Sequence, residues 1–147
     1  PTNWLVLQDY NEVDKKRIKT HINGSIMQLV FNNDLEDTVS KKRTASAASP
    51  NFIHSLDAAA MTKTINSSKR EGISDFAMVH DSYGVHASNV PVLFEETRLA
   101  FYEMYAQNEV LEQFREFALE VVDDVQEPPA KGDLDLAQVK QSPYFFA

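Results

Sequence analysis

The hydrophobic and polar positions first form a clear pattern around the dipeptide Asn23-Gly24. Residues 18–31, IKTHINGSIMQLVF, place two apolar runs with loose alternation on either side of it. Asn-Gly between two such runs is the strongest short signal for a two-residue hairpin turn. The pattern therefore predicts two antiparallel strands. Residues 34–48 contain few helix breakers and several alanines, which predicts a short polar helix after the hairpin.

A longer helix is predicted from Ser49 to about Arg70. Ser49 can cap the N-terminus of this helix through its hydroxyl group. Pro50 suits the first helical position, because its missing N–H would have no helical partner there. Gly72 stands directly after the segment and predicts the stop, since glycine tolerates the left-handed conformation that ends many helices.

A second hairpin is predicted in residues 73–86. Residues 73–79 and the segment from Ser82 to His86 are short and rich in apolar residues, which is typical of strands. Two residues separate these segments, so we expect His80 and Asp81 at the tip of a tight turn.

From Asn89 onward the apolar residues recur every three or four positions, as in helices. We interpret the recurring aromatic residues as the core-facing sides of helices rather than as a cofactor site. One such apolar stripe consists of Val90, Phe94, Phe101 and Tyr105, and the other of Val110, Phe114, Phe117, Val121 and Val125.

The C-terminal part begins with a predicted linker, residues 127–132. Asp133 is predicted to cap a last short helix, and residues 144–147 form an apolar tail.

The order of these elements predicts an α+β fold, with helices packed on a small antiparallel sheet. We divide the chain into an N-terminal hairpin and polar helix (residues 1–48), a central part with the His80-Asp81 hairpin (residues 49–126) and a C-terminal part (residues 127–147). The 147 residues, 43% of them hydrophobic, suit a domain with a hydrophobic core. No apolar run approaches the roughly 18 residues of a membrane-spanning helix, so no membrane partner is expected. The absence of cysteine excludes disulfides and thiolate metal sites.

Charge is unevenly distributed along the chain, whose net charge is −8. Residues 1–70 carry ten Lys or Arg against seven Asp or Glu, whereas residues 71–147 carry four against fifteen. The basic clusters at residues 15–19 and 41–43 can neutralise phosphates, although short clusters of this kind are often only solvated surface. The acidic half could not by itself follow a nucleic-acid backbone, so it must face solvent or cations.

The stretch FAMVHDSYG, residues 76–84, carries the most specific candidate chemistry. A carboxylate at the end of a hairpin needs a cation, a hydrogen-bond donor or water. Asp81 could bond the amides of its own turn, or it could be a hard oxygen ligand for Mg²⁺. A third alternative is the His-Asp doublet of a metal-dependent phosphohydrolase, with His54 and a later Asp completing the site, but that doublet belongs on a helix and FAMV is predicted to be a strand.

VHDSYG resembles the third palm motif of the single-subunit RNA polymerases of phages and organelles. Four further segments, NFIHSLDAA, GISDFAMVHDSYG (which continues through the predicted strand), PPAKGDLDL and the terminal YFFA, resemble family segments in the same order. The resemblance is clear from Ser49 to Ala147 and thin before it. Related DNA polymerases carry His-Asp-Glu at this motif, so Ser82-Tyr83-Gly84 favours an RNA polymerase over a fragment of a family A type DNA polymerase.

The resemblance implies the palm of a right-hand polymerase that extends RNA from ribonucleoside triphosphates on a DNA template. Catalysis would use two Mg²⁺ ions about 4 Å apart. Asp81 is implied as a catalytic metal ligand, with His80 beside the primer end. The residues implied to contact substrate or the RNA–DNA hybrid are His54, Asp57, Tyr83, Phe146 and Ala147. Simpler roles remain for several: a packed histidine at residue 80, a surface pair of residues 54 and 57, and an apolar cap at the tail.

Two parts of the family pattern are missing. We find neither the first palm motif, which supplies the other metal-binding aspartate, nor the fingers helix that binds the incoming nucleotide. We therefore expect a C-terminal fragment with half of the metal site, inactive alone and completed by the rest of the polymerase. The alternative is a non-catalytic module that docks on the polymerase or associates with itself. Short connections between elements favour a phage enzyme, active in the cytoplasm of an infected bacterium, over an organellar one.

Overall fold

The computed structural model describes residues 2, 7–8 and 10–145, apart from the side chain of Asp37. The chain forms two compact units, a first unit of residues 4–54 and a second unit of residues 1–3 and 55–147. It contains two separate antiparallel sheets of two strands each and three α-helices, which confirms the α+β composition. Strands β1 to β4 are Asn11–Ile22, Ser25–Val39, Phe76–Val79 and Ser82–Val85, and helices α1 to α3 are Lys41–Arg70, Val90–Ala106 and Val110–Leu119.

The first unit is dominated by the long ribbon of β1 and β2, which confirms the hairpin predicted at Asn23-Gly24. Both turn residues have positive φ, 50° and 79°, as the tightest hairpin turns require. The strands pair from Ile22 with Ser25 out to Asn11 with Val39. The helix predicted from residue 34 is therefore wrong up to residue 39. Pairing with β1 satisfies the backbone of this segment, whose Asp and Thr residues are weak helix formers.

Helix α1 begins at Lys41 rather than at Ser49, so the predicted N-cap is wrong and Pro50 lies inside the helix. The Ser40 carbonyl accepts the first helical hydrogen bond, from the Thr44 amide at 2.9 Å. Residues 41–48 are mostly good helix formers, and the helix continues through the proline despite its missing donor.

The end of α1 follows the prediction. Gly72 has a φ of +94° and donates its amide hydrogen bond to the Lys69 carbonyl at 3.1 Å. The Ile73 amide bonds the Ser68 carbonyl at 3.1 Å, which completes a Schellman motif. Ile73 is buried immediately afterwards, so the turn directs the chain into the core of the second unit.

The second hairpin, β3 with β4, pairs Phe76 with Val85 and Val79 with Ser82. This register leaves two residues, His80 and Asp81, in the turn, as predicted. The strands are shorter than expected, since β3 begins at Phe76 rather than at residue 73. A 3-10 helix, Ala87–Asn89, then leads into α2.

Burial on α2 and α3 differs from the predicted aromatic stripes. Helix α2 buries Leu93, Ala100 and Met104, whereas Phe94 of the predicted stripe is about half exposed. Helix α3 contains no buried residue in the described chain, and Phe117 is 64% exposed. The assignment of the second stripe to the core is therefore wrong. Periodicity identifies which side of a helix is apolar, but it does not supply a neighbour to cover that side.

The last described residues return to α2. Asp135, and not Asp133 as predicted, caps the final 3-10 helix, Leu136–Lys140, by accepting the Ala137 amide at 2.9 Å. Residues 127–132 have no regular structure, in agreement with the predicted linker. The Phe145 ring packs edge-on against Phe101, with centroids 4.9 Å apart.

Within the described residues, no helix combines the length and apolar character needed to cross a bilayer.

Candidate functional site

The His80-Asp81 turn fixes the position of the candidate carboxylate. Ser82 pairs directly with Val79, so the two turn residues project from the end of the ribbon. His80 has a φ of +54°, in the left-handed region that two-residue hairpin loops use. Histidine adopts this region more readily than most side chains. Both His80 and Asp81 are exposed.

The Asp81 carboxylate is open to an external ligand. No described residue donates a hydrogen bond to it or forms an ion pair with it. In particular, the amides of its own turn do not bond it, so the turn-carboxylate alternative gains no support from the structure. An exposed carboxylate without protein partners offers hard oxygen donors, which is the ligand type that Mg²⁺ prefers.

The negative charges of nearby acidic side chains affect the pKa values of two tyrosines, Tyr83 and Tyr105. Burial raises the pKa of the Tyr83 hydroxyl above its usual 10.0, and the negative charges of Asp57 and Asp81 raise it further. Burial, followed by the charge of Asp57, also raises the pKa of Tyr105. The charge of Asp57 on α1 therefore acts on Tyr83 of β4 and on Tyr105 of α2, and the charge of Asp81 in the turn acts on Tyr83.

Tyr105 is a member of this group that no sequence motif indicates. The sequence pattern places it only in an apolar stripe, whereas the structure leaves it half-buried, in a tilted ring contact with Phe101 at 4.7 Å. A tyrosine in an otherwise apolar stripe carries a signal, because a partly buried ring with a polar tip commonly lies at the border of a polar site.

The remaining predicted site residues are less connected. His54 is exposed on α1, at the end of the first unit, and forms no ion pair or hydrogen bond with Asp57 in the described chain. The predicted surface pair of these two side chains is therefore absent there. Phe146 and Ala147 lie outside the described residues.

One carboxylate is the most that this turn offers to a metal ion. The described residues contain no group of three or more His, Asp or Glu side chains placed to hold a metal together. Asp81 is the carboxylate that this turn offers as an oxygen donor.

The tyrosine pKa values provide a test of this arrangement. In NMR titrations of the tyrosine rings, Tyr83 and Tyr105 should ionise above pH 10.0. Asp57→Asn should lower both pKa values, whereas Asp81→Asn should lower that of Tyr83 alone. Because the folded-state pKa is raised, the stability contribution of each hydroxyl is complete below pH 10.0 and is lost as the pH rises through the folded pKa. A Tyr83 pKa unchanged by both substitutions would contradict the grouping.

A family model described as DNA-dependent RNA polymerase matches residues 1–125. The match includes the first 48 residues, where sequence motifs alone offered thin support. DNA-directed RNA polymerase 1A of Nicotiana tabacum is 38% identical, over 99% of this chain and 91% of the relative. The mitochondrial DNA-directed RNA polymerase 1 of Nicotiana sylvestris is also 38% identical, over 99% of this chain.

The chloroplastic/mitochondrial DNA-directed RNA polymerase 2 of Arabidopsis thaliana is likewise 38% identical over 99% of this chain. This chain spans only 14% of the length of that relative and of the Nicotiana sylvestris one. Both names refer to organelles, so the expected phage origin gains no support. The family model covers most of the chain, and relatives named DNA-directed RNA polymerase match 99% of it. This protein therefore belongs to the single-subunit, phage-type family of DNA-dependent RNA polymerases.

Proposed function

We propose that this chain is part of the catalytic palm of a DNA-directed RNA polymerase. In this role it helps to transfer nucleotides from ribonucleoside triphosphates to the 3′ end of an RNA transcript on a DNA template. The observation that carries the proposal is the exposed Asp81 carboxylate, which has no hydrogen-bond or ion-pair partner among the described residues, at the tip of a hairpin in a chain that belongs to this family.

Asp81 is the proposed ligand for Mg²⁺. Bound magnesium ions activate the attacking hydroxyl group and stabilise the leaving pyrophosphate. Asp81 contributes a full negative charge and fixed hard oxygens, while the neighbouring His80 positions the growing end of the RNA. The Tyr83 hydroxyl, which is protonated at neutral pH like that of any tyrosine, can donate a hydrogen bond to substrate.

Other contacts in the proposal rest on residues around this centre. His54 and Asp57 on α1 face the RNA–DNA hybrid, and Phe146 and Ala147 approach the site from the C-terminal segment. Since the chain spans 14% of two of its relatives, we assign the second metal-binding carboxylate and the nucleotide-binding groups to the rest of the polymerase. The compartments named for those relatives favour an organelle as the place where the parent enzyme acts.

Primer extension tests this function. The polymerase that contains this chain should extend an RNA primer on a DNA template with ribonucleotides, and deoxyribonucleotides should be poor substrates. The purified 147-residue chain should give no extension, because one carboxylate cannot hold two metal ions. Templated synthesis by the isolated chain, or a preference for deoxyribonucleotides in the polymerase, would contradict the proposal.

The exposed side of α3 favours a second role, association of the isolated chain with itself. Leu111, Phe117 and Val122 are each about half exposed or more, and Val121 is 79% exposed. Contiguous apolar surface of this kind marks interaction sites. We propose this self-association for the isolated chain only, because the rest of the polymerase can cover the same surface.

Sedimentation velocity measures this association. The isolated chain should form dimers or larger species as its concentration rises, and Phe117→Glu should shift it toward monomer because burying a charge in an apolar contact is costly. Gln113→Glu on the same helix adds the same charge at an exposed polar position and should leave the association unchanged. A monomer at all concentrations would refute self-association.

A further inference from the structure

Arg98 is a buried cation for which the proposed chemistry has no use. It lies in the middle of α2 and is 3% exposed, the one charged side chain that is buried in the described part of the molecule. No carboxylate of the described chain forms an ion pair with it. A buried charge without a counter-ion is costly unless other groups solvate it. The groups that solvate Arg98 therefore indicate its role.

Two carbonyls and two aromatic rings surround the guanidinium group. Nη1 donates to the Phe94 carbonyl at 3.1 Å, one turn earlier on the same helix. Nη2 donates to the Ser142 carbonyl at 2.8 Å, which lies 44 residues away in the sequence. The guanidinium carbon lies 3.4 Å from the centroid of the Phe94 ring and 5.5 Å from that of Phe145. Nε is buried without a partner.

The distant contacts of Arg98 all fall on one short segment, residues 142–145. Within this segment the Ser142 amide donates to the Gln138 carbonyl at 3.0 Å, while Tyr144 is 91% exposed and its amide donates to the nearby Ser142 hydroxyl at 3.3 Å. The preceding 3-10 helix has its own attachment to α2, where the Lys140 ammonium lies 3.7 Å from the Tyr102 centroid. Arg98 and the contact between Phe101 and Phe145 thus attach the last described residues to α2.

We propose that Arg98 is a positioning residue that fixes the C-terminal segment 142–145 on α2. Its planar fork can donate in two directions while it stacks on an aromatic ring, and a lysine ammonium cannot reproduce that combination. The consequence for catalysis rests on the proposed function. By holding residues 142–145, Arg98 supports nucleotide addition through this segment without contacting substrate.

Hydrogen–deuterium exchange of the 147-residue chain tests the attachment itself. In Arg98→Lys and Arg98→Met, amides of residues 138–145 should exchange about 10-fold faster or more, because a local contact has been lost. Amides of the β3–β4 hairpin should change little. Arg115→Lys is the matched control, because its Nε donates to the Val125 carbonyl at 3.3 Å, away from this segment. Unchanged exchange in residues 138–145, or equal acceleration in the hairpin, would overturn the proposal.

A double-variant experiment on the polymerase that contains this chain tests the catalytic consequence. Arg98→Lys and deletion of residues 144–147 should each lower the rate of nucleotide addition. If Arg98 acts through the segment, the combined variant should be no slower than the deletion alone. Multiplied defects would show that Arg98 acts independently of the segment and would refute the catalytic consequence. An inactive parent polymerase would refute the proposed function, while the exchange measurement would still decide the attachment.

Discussion

Replacing Asp81 with asparagine in the polymerase that contains this chain should lower the rate of nucleotide addition by about 10³-fold or more. The substitution keeps the size of the side chain and one oxygen donor, but it removes the negative charge. Asp81 is exposed and accepts no hydrogen bond from described residues, so the hairpin should fold as before. The loss should therefore appear in catalysis, with binding of template DNA nearly unchanged.

The matched control for this prediction is Asp75→Asn. Asp75 is another exposed carboxylate of the second unit, and it accepts a hydrogen bond from the Ser74 hydroxyl at 2.7 Å. The same change of charge there should leave nucleotide addition within about twofold of the parent, because weakly coupled surface charges contribute little. Single-turnover extension of a labelled primer at saturating nucleotide measures both rates. Equal, small effects of the two substitutions would remove Asp81 from the catalytic site.

The two hairpins were predictable from sequence because their turns are decided locally. Asn23 and Gly24 both adopt positive φ, and these residue types accept that conformation at low cost. The two-residue spacing between apolar runs placed His80 and Asp81 in the second turn. The end of α1 depends on equally local contacts, because Gly72 completes a Schellman motif within the six residues from Ser68 to Ile73.

The failures involve interactions with distant residues. Residues 34–39 became a strand because β1 extends far enough to pair with them, a length that no local pattern specifies. Helix α1 began eight residues before Ser49 because its backbone hydrogen bonds start at Ser40 and continue through Pro50. The apolar side of α3 was identified correctly, yet it stays exposed, since amphipathicity in a sequence cannot show which neighbour is present.

The candidate site divides in the same way. The motif located Asp81, His80 and Tyr83 because they are consecutive or nearly so, and a hairpin keeps them together. Asp57 comes from α1 and Tyr105 from α2, and only tertiary packing lets the charge of Asp57 raise the pKa of both Tyr83 and Tyr105. Arg98 gave no signal in the sequence, because an arginine in a helix is ordinarily exposed and its burial here depends on the return of Ser142 to α2.

Met104→Ala should lower the free energy of unfolding by about 3 kcal/mol, the typical cost of removing a large core side chain. Met104 is 0% exposed on α2, in a chain whose described residues include only five other buried apolar side chains. Few neighbours can close the resulting cavity in so small a core, and for a chain of this size the melting temperature should fall by about 6–12 °C.

Leu99→Ala is the matched control on the same helix, because Leu99 is 39% exposed and its truncation leaves a smaller void. Its cost should stay near or below about 1 kcal/mol. Urea unfolding followed by circular dichroism compares the two variants, with the slope against urea showing whether the unfolded states remain comparable. Equal losses would mean that α2 is held to the second unit by contacts spread along its length. A large loss for Met104→Ala alone would show that the buried face of α2, the helix that also carries Arg98 and Tyr105, stabilises this unit.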